Sequence, residues 1–339
     1  MGQSVLVTGG AGFIGSHVAE RLFEAGFEVV ALDDLSGGNR DSVPKGVHFE
    51  QGSIVDQHKV NALFEAYKFS YVFHLAAYAA EVLSHHIKRF IYTNNLIGST
   101  NLINASVNHD VKCFVFTSSI GVYGNTPSPL TEDLTPAPKD SYGIAKYAVE
   151  LELAACQEMF DLNYIIFRPH NVYGERQNIG DRYRNVIGIF MNQVMQNRPM
   201  SIFGDGSQTR AFSYISDVAP VIAESIHIPA ASNQIFNVGA EKAYSVIRLA
   251  TVVAEAMGVE PNIEHLPARF EASHPISNHE KIQRIMGHYE PVTLEQGVAR
   301  MAAWAKRVGV RKSRPFEEIE IPKKLPPSWA AGHEADSQV

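Results

Sequence analysis

Apolar residues occur in blocks along the first half of the chain, and these blocks alternate with amphipathic stretches. Continuous apolar runs predict buried β-strands at residues 4–9, 28–34, 71–77, 112–119 and 163–169. Helical periodicity separates them and predicts helices at residues 15–26, 59–68, 91–110 and 141–160. Apolar strands that alternate with helices are typical of a parallel sheet covered on both faces, so we predict an α/β fold.

The pattern changes after residue 174, where polar and glycine-containing segments become more frequent. A strand at residues 232–240 and helices at 245–258 and 293–309 follow. We expect residues 1–174 to form the sheet domain, with 206–240 returning to it, and residues 175–205 and 241–311 to form a smaller C-terminal domain. Residues 312–339 are proline-rich and then polar, which predicts an extended or disordered tail.

Composition excludes several classes of protein. The chain of 339 residues has 45% hydrophobic and 19% charged residues, an ordinary globular balance. A net charge of -7 without a basic stripe argues against a nucleic-acid partner. The two cysteines, Cys113 and Cys156, predict no disulfide framework and favour a cytoplasmic setting. No apolar run predicts a membrane helix, and the fourteen histidines show no metal-ligand spacing, so we predict neither membrane association nor a metal.

A glycine loop follows the first predicted strand. Gly9, Gly12 and Gly15 lie in "TGGAGFIGSH", between that strand and a helix, where a tight turn and exposed N–H groups bind a dinucleotide diphosphate. Asp33 ends the second strand eighteen residues after Gly15, where a carboxylate accepts hydrogen bonds from the adenosine ribose. The acid favours NAD over NADP, although Arg40 leaves NADP open as an alternative.

Two further strand ends fit the same dinucleotide. Ser53 and Ile54, in "GSI", follow a further strand between the second apolar run and the helix predicted at 59–68, and are candidates for contact with adenine. Leu75, Ala76 and Ala77, in "HLAA", end the next strand with small residues, which let a flat cofactor approach the backbone.

Candidate catalytic residues follow the strand "CFVFTSS". Ser118 and Ser119 end this strand at the edge where parallel sheets bind ligands. Tyr142 and Lys146 begin the next helix at i,i+4 spacing, which places both on one face. We expect the lysine and an oxidised nicotinamide to lower the tyrosine pKa, which makes Tyr142 a general base for a hydroxyl group with Ser119 opposite it.

Taken together, these motifs resemble the extended short-chain dehydrogenase/reductase superfamily, and within it the nucleotide-sugar epimerases of the UDP-glucose 4-epimerase type. The resemblance covers residues 3–310 and rests on Asp33 and on the segments "TGGAGFIG", "HLAA", "TSSIGVYG", "YGIAK" and "RPHNVYG". It implies a Rossmann-type doubly wound sheet with a smaller C-terminal substrate-binding domain, bound NAD and a homodimer. By resemblance, Ser119, Tyr142 and Lys146 are catalytic, and Lys146 also binds the nicotinamide ribose. Cofactor contacts are implied for Gly9, Gly12, Phe13, Ile14, Gly15, Asp33, Asn95 and Pro169.

The resemblance also implies substrate contacts. Ser118, Ser119, Tyr142, Asn171, Asn185, Ile202, Arg210 and Arg269 match positions that bind the nucleotide sugar in this family, with the two arginines on the diphosphate. After Arg269 the chain reads "FEASHP" where the family often has Pro-Gly and an acid, so the ribose contact is in doubt. Arg176, Arg182 and Arg184 in one loop suggest an alternative substrate, a UDP-uronic acid.

Residues 120 and 121 bear on the type of reaction. Dehydratases of this superfamily usually carry an Asp-Glu pair there, whereas this chain has Ile120 and Gly121, which transfer no protons. We therefore predict 4-epimerisation of a UDP-hexose through a transient 4-keto sugar. The alternatives are another epimerase, a dehydratase or a reductase, with Glu81 as the acid to check, and a non-catalytic dinucleotide sensor.

Overall fold

A seven-stranded parallel sheet forms the centre of the molecule. The computed structural model describes residues 2–268, 276–287, 291–312, 316–326 and 329. The strands of this sheet are β1 (Ser4–Thr8), β2 (Glu28–Asp33), β3 (His48–Gln51), β4 (Tyr71–His74), β5 (Cys113–Thr117), β6 (Tyr164–Pro169) and β11 (Gln234–Val238). Their order is β11-β6-β5-β4-β1-β2-β3. The chain reverses direction across the sheet between β1 and β4, which is the position where Rossmann folds bind ligands.

Helices cover both faces of this sheet. In chain order the helices are α1 (Phe13–Glu24), α2 (Gln57–Tyr67), α3 (Glu81–Ser84), α4 (Lys88–Tyr92), α5 (Gly98–Asn108), α6 (Ser141–Phe160), α7 (Val186–Met195), α8 (Ile215–Glu224), α9 (Val246–Met257), α10 (Glu280–Met286) and α11 (Leu294–Val308). The pair α1 and α8 packs on one face, and α2, α5 and α6 pack on the other. Apart from the edge strand β3, which has no buried residue, the strands are mostly buried, so their side chains form a core on each face. The predicted doubly wound α/β fold is confirmed.

The remaining strands pair outside the central sheet. They are β7 (Val172–Tyr173) with β10 (Ser213–Tyr214), β8 (Met200–Phe203) with β13 (Ile263–Leu266), and β9 (Thr209–Ala211) with β12 (Ala243–Ser245). The helices α7, α9 and α11 pack together against these strands. This part of the chain faces the carboxyl ends of the central strands across a cavity.

Two segments show what the apolar pattern did not reveal. The helix predicted at 91–110 begins at α4 and contains a π-helical turn at Thr93–Ile97 before α5. Part of the predicted tail packs on the molecule: Phe316 lies against Tyr78 and Phe90, and Trp329 lies against Tyr183. Within the described ranges, none of the helices has the length and apolar character needed to cross a bilayer.

Candidate active site

A cavity of about 510 Å³ lies between the carboxyl ends of the central strands and the C-terminal half of the chain. Most of the predicted site residues line it: Gly9, Gly12, Phe13, Ile14, Gly15, Asp33, Ile54, Leu75, Ala76, Ala77, Ser118, Ser119, Tyr142, Lys146, Pro169, Asn171, Asn185, Ile202 and Arg210. The topology gathers them because parallel strands all end at the same edge of the sheet.

The glycine loop forms one end of the cavity. Gly9 has φ +70°, and a side chain there would lie 2.8 Å from the backbone N of Ala76. A side chain on Gly15 would meet Gly9 O at 2.0 Å, so the loop closes tightly onto the first turn of α1. The helix begins after Gly12 without a side-chain cap, and its first residues line the cavity. Uncapped N–H groups at a helix start suit a diphosphate.

Asp33 lies beside this loop. Its Oδ2 accepts a hydrogen bond from Ala11 N at 3.1 Å, and its Oδ1 accepts one from Leu35 N at 2.8 Å. Burial raises the pKa of Asp33, while these N–H donors lower it. The carboxylate is therefore held in place at the end of β2, where two ribose hydroxyls of an adenosine would reach it. The donors and the acid together fit a bound NAD.

The predicted catalytic residues converge near the middle of the cavity. Tyr142, Ser119 and Lys146 are buried, with 6%, 7% and 2% of their surfaces exposed. The Ser119 hydroxyl lies close enough to Tyr142 to lower its pKa. Lys146 Nζ donates to Thr117 O at 2.7 Å and lies 5.9 Å from the centre of the Tyr142 ring. The start of α6 is fixed by Asp140, which accepts a hydrogen bond from Gly143 N at 2.9 Å.

Burial dominates the pKa values of this pair. It raises the pKa of Tyr142 well above its usual value, and the Glu81 charge raises it further. Burial also lowers the pKa of Lys146 to about 7, although the nearby Glu150 carboxylate raises it in part. The expected lowering of the Tyr142 pKa is therefore not produced by the protein groups alone, because desolvation and the Glu81 charge outweigh the Ser119 hydroxyl and Arg184. The positive nicotinamide of a bound NAD is the remaining group that stabilises a phenolate there.

Ser118 is directed away from its predicted role. Its Oγ donates to Glu150 Oε1 at 2.5 Å, and Glu150 is paired with Arg168 through bonds of 3.0 and 2.5 Å. Arg168 also donates to the Tyr123 hydroxyl at 2.7 Å. These groups form a buried polar network behind the catalytic strand end. The sequence contained a signal for it, since Glu150 follows Lys146 by one helical turn and Arg168 interrupts an apolar strand.

Two predicted residues in the described part of the chain, Ser53 and Asn95, do not line the cavity. The Ser53 side chain is hydrogen-bonded to the local backbone, because its Oγ accepts a hydrogen bond from Val55 N at 3.2 Å. Asn95 lies in the π-helical turn. Its Oδ1 accepts a hydrogen bond from Tyr78 N at 2.9 Å, and its Nδ2 donates one to Tyr78 O at 3.0 Å. It therefore holds the loop that carries a cavity residue. Arg269 lies outside the described residues.

The substrate side of the cavity is built by loops and by α7. Asn171 has φ +40°, and its amide donates to Ala211 O at 3.0 Å. Asn185, with φ +62°, precedes the first turn of α7, and Arg210 on β9 lines the same wall. Ile202 on β8 is buried. Together they surround a space that suits an anionic nucleotide beside an apolar strand.

Sequence reasoning missed several lining residues. Tyr78 and Tyr183 line the cavity, and the Arg184 guanidinium lies 4.7 Å from the centre of the Tyr78 ring. Asp181 pairs with Arg184 through a contact of 2.5 Å. Of the three arginines in this loop, Arg176 instead pairs with Glu20 at 2.9 Å. No spacing rule links Tyr78 with Tyr183, because they meet only through the fold.

Comparisons with known proteins agree with this geometry. A model of the NAD dependent epimerase/dehydratase family matches residues 5–239. The UDP-glucose 4-epimerase of Mycolicibacterium smegmatis is 34% identical over 303 residues, 87% of this chain and 96% of that protein. The crystal structure of Thermotoga maritima UDP-glucose 4-epimerase with UDP-glucose has a TM-score of 0.86 and 32% identity, and covers 90% of this chain and 99% of its own. UDP-glucuronic acid 4-epimerase of Bacillus cereus, in complex with UDP-glucuronic acid and NAD, has a TM-score of 0.80 and 25% identity, over 90% of this chain and 100% of its own.

The fold and the site define a dinucleotide-dependent enzyme of the extended short-chain dehydrogenase/reductase type. The chain belongs to the NAD-dependent epimerase/dehydratase family. The expected family, NAD cofactor and enzymatic nature are thereby confirmed.

Proposed function

We propose that the protein is a nucleotide-sugar 4-epimerase that acts on a UDP-hexose through a transient 4-keto sugar. One observation carries this: Ser119, Tyr142 and Lys146 meet in the cavity that also contains the glycine loop and Asp33. Relatives that act on or bind UDP-sugars, at 25–34% identity, support the same class of substrate. The sugar lies between the catalytic residues and the C-terminal wall.

Each protein group has a distinct task. Tyr142 takes the proton of the C4 hydroxyl, and Ser119 holds the same oxygen through its hydroxyl. Lys146 binds the nicotinamide ribose and adds positive charge near the phenol, which favours the phenolate. Bound NAD supplies a reversible hydride acceptor. After the keto sugar turns over, the hydride held by the cofactor would return to the opposite face of C4, which inverts this carbon, and Tyr142 gives its proton back to the C4 oxygen.

The sugar must turn over while its nucleotide stays bound. Arg210 and the first turn of α7, next to Asn185, provide positive charge for the diphosphate. Asn171 holds the adjacent loop through Ala211 O. Residues 120 and 121 are Ile120 and Gly121, so the strand end offers no acid there for dehydration. These features favour epimerisation, whereas elimination would need an acid from another element, for which Glu81 on α3 is the candidate.

Product analysis on a panel of UDP-, GDP- and CDP-sugars tests the function. We expect interconversion of a UDP-hexose and its C4 epimer without a lasting change in absorbance at 340 nm. A net change at 340 nm would indicate a redox enzyme instead. Conversion of UDP-glucuronate alone would establish the uronic acid alternative.

Replacing Tyr142 by Phe tests the assignment of the base. We expect turnover to fall at least about 10³-fold, because proton transfer is lost while the packing is kept. NAD released on denaturation should remain stoichiometric, since the glycine loop and Asp33 are untouched. A dinucleotide sensor would show neither turnover nor this dependence, and retained turnover would contradict the role of Tyr142.

We propose in addition that the protein is a homodimer. Ile144 and Leu151 are 43% and 55% exposed, and they lie two turns apart on one face of α6. Met159 and Phe160, at the end of the same helix, are 73% and 58% exposed. Apolar exposure on one long helix is typical of a helix pair across a two-fold axis. Sedimentation velocity distinguishes dimer from monomer.

A further inference from the structure

Glu81 lies among the reactive groups of the cavity. It is the first residue of α3 and lines the same wall as Ser119 and Tyr142. A side-chain carbon on Gly121 would lie 3.1 Å from Glu81 Oε1 and 3.3 Å from Ser119 Oγ. The carboxylate therefore extends toward the space that a side chain at residue 121 would fill, beside the catalytic serine.

The position of Glu81 is tied to the helix that carries Tyr142. Ser84 Oγ lies 2.6 Å from Glu81 O and 3.3 Å from Asp140 Oδ1. Asp140 in turn caps α6 through Gly143 N. The start of α3 and the start of α6 thus share one hydrogen-bonded junction. This junction fixes the backbone of Glu81 relative to the start of α6.

The charges around Tyr142 are mixed. Glu81 and Asp140 raise its pKa, whereas Arg184 and the Ser119 hydroxyl lower it. Arg184 is already paired with Asp181, and Lys146 donates to a backbone carbonyl. The cations beside the reactive groups are therefore partly satisfied by the protein itself. Because Arg184 and Lys146 are engaged by protein groups, a substrate carboxylate placed beside Glu81 would meet a like charge.

We propose that Glu81 contacts the sugar, accepts a hydrogen bond from one of its hydroxyls, and selects neutral hexoses over uronic acids. A carboxylate is an acceptor only, so it binds a hydroxyl well and repels a second carboxylate. This inference rests on the proposed epimerase function and specifies its substrate class. It makes Glu81 a specificity-determining residue of the site.

The test compares Glu81→Gln with wild type on UDP-glucose and UDP-glucuronate. We expect kcat/KM for UDP-glucose to fall about 10-fold, since a hydrogen bond to a charged acceptor becomes a neutral one. The preference for UDP-glucose over UDP-glucuronate should fall at least about 10-fold. The ascending limb of the pH profile, on which Tyr142 loses its proton, should move to lower pH, because removing the Glu81 charge lowers the Tyr142 pKa.

Two further variants separate charge from structure. Glu81→Asp keeps the charge and should still discriminate against UDP-glucuronate. Glu65→Gln, on the exposed surface of α2, should change neither the preference for UDP-glucose over UDP-glucuronate nor the pH profile. If an NAD-loaded Glu81→Gln variant keeps the wild-type preference for UDP-glucose and the wild-type pH profile, the proposal is overturned while the epimerase function remains intact.

Calorimetry with both sugar nucleotides distinguishes failure of the function itself. If wild type turns over neither compound, the epimerase proposal fails. The role of Glu81 is then supported only if the dissociation constants of UDP-glucose and UDP-glucuronate differ less in the Glu81→Gln variant than in wild type. Equal ratios in both proteins, or no binding of either compound, would overturn it.

Discussion

At the scale of single residues, the stability of the fold depends on the buried ion pair between Glu150 and Arg168. Both side chains are 2% exposed, and Glu150 also accepts from Ser118. Burying two charges costs desolvation energy that only complete pairing offsets. Removing one partner leaves an uncompensated charge directly behind the catalytic strand end.

We expect Glu150→Gln to lower the free energy of unfolding by about 3–5 kcal/mol. Arg168 would remain buried and charged without its counter-ion, because a guanidinium keeps its proton even when the Glu150 contacts that raise its pKa are lost. Activity should fall as well, because Glu150 raises the pKa of Lys146. Urea unfolding measures the first effect and kcat the second.

The matched control is Glu158→Gln, an exposed position on the same helix. It should change stability by no more than about 0.5 kcal/mol. Equal effects of the two substitutions would show that the buried pair adds nothing beyond helix propensity.

Residues that follow a local rule were predictable, and residues that meet only in the fold were not. Tyr142 and Lys146 were found because i,i+4 spacing on one helix fixes their relation. Ser118 ends the predicted strand, yet its hydroxyl turned to Glu150, since the neighbouring strand supplies Arg168 behind it. The sign of the Tyr142 pKa shift depended on burial, which spacing does not report.

At the scale of elements, the segment 316–326 stabilises one wall of the cavity through hydrogen bonds. The Glu320 carboxylate accepts from Arg89 N and Phe90 N, both at 2.9 Å, at the start of α4. The backbone N of Glu320 also donates to His86 O at 2.9 Å. Phe316 N donates to the Tyr183 hydroxyl at 3.0 Å. This segment therefore joins the loop after β4 to the loop before α7.

We expect Glu320→Ala to loosen α4, because a capping acceptor at a helix start contributes about 1 kcal/mol. Amide exchange at residues 86–92 should rise several-fold in mass spectrometry, and KM for the sugar nucleotide should rise more than kcat falls. Glu318→Ala, at an exposed neighbouring position, serves as the control. Unaltered exchange at residues 86–92 would show that the segment does not brace the wall.

Element boundaries were predictable where a local signal marks them. The helix predicted at 141–160 has those bounds, and Asp140 caps its start. The elements α7 and α8 were not predicted. Polar, glycine-containing segments flank α7, and Pro220 interrupts the helical pattern of α8, so neither gives a clear periodic signal. Both are held by tertiary packing, α8 against α1 and α7 against α9.

At the scale of the whole molecule, a pair of buried histidines joins the two halves of the chain. His170 follows β6, and His279 directly precedes α10; their rings stack with centroids 5.3 Å apart. Burial lowers the pKa of His170 to about 4 and that of His279 to about 3. Both side chains are therefore neutral in the folded protein at neutral pH.

This pair makes the fold sensitive to acid. Unfolding below pH 6.5 lets each histidine take up a proton that the folded state refuses, so stability is full above 6.5 and falls as pH drops toward 4 and 3. We expect His279→Gln to reduce the slope of unfolding free energy against pH by up to about 1.4 kcal/mol per pH unit between pH 4 and 6.5. His58→Gln, exposed on α2, should leave the slope unchanged. Urea unfolding at several pH values measures both, and a slope that His279→Gln does not alter would assign the acid sensitivity to other groups.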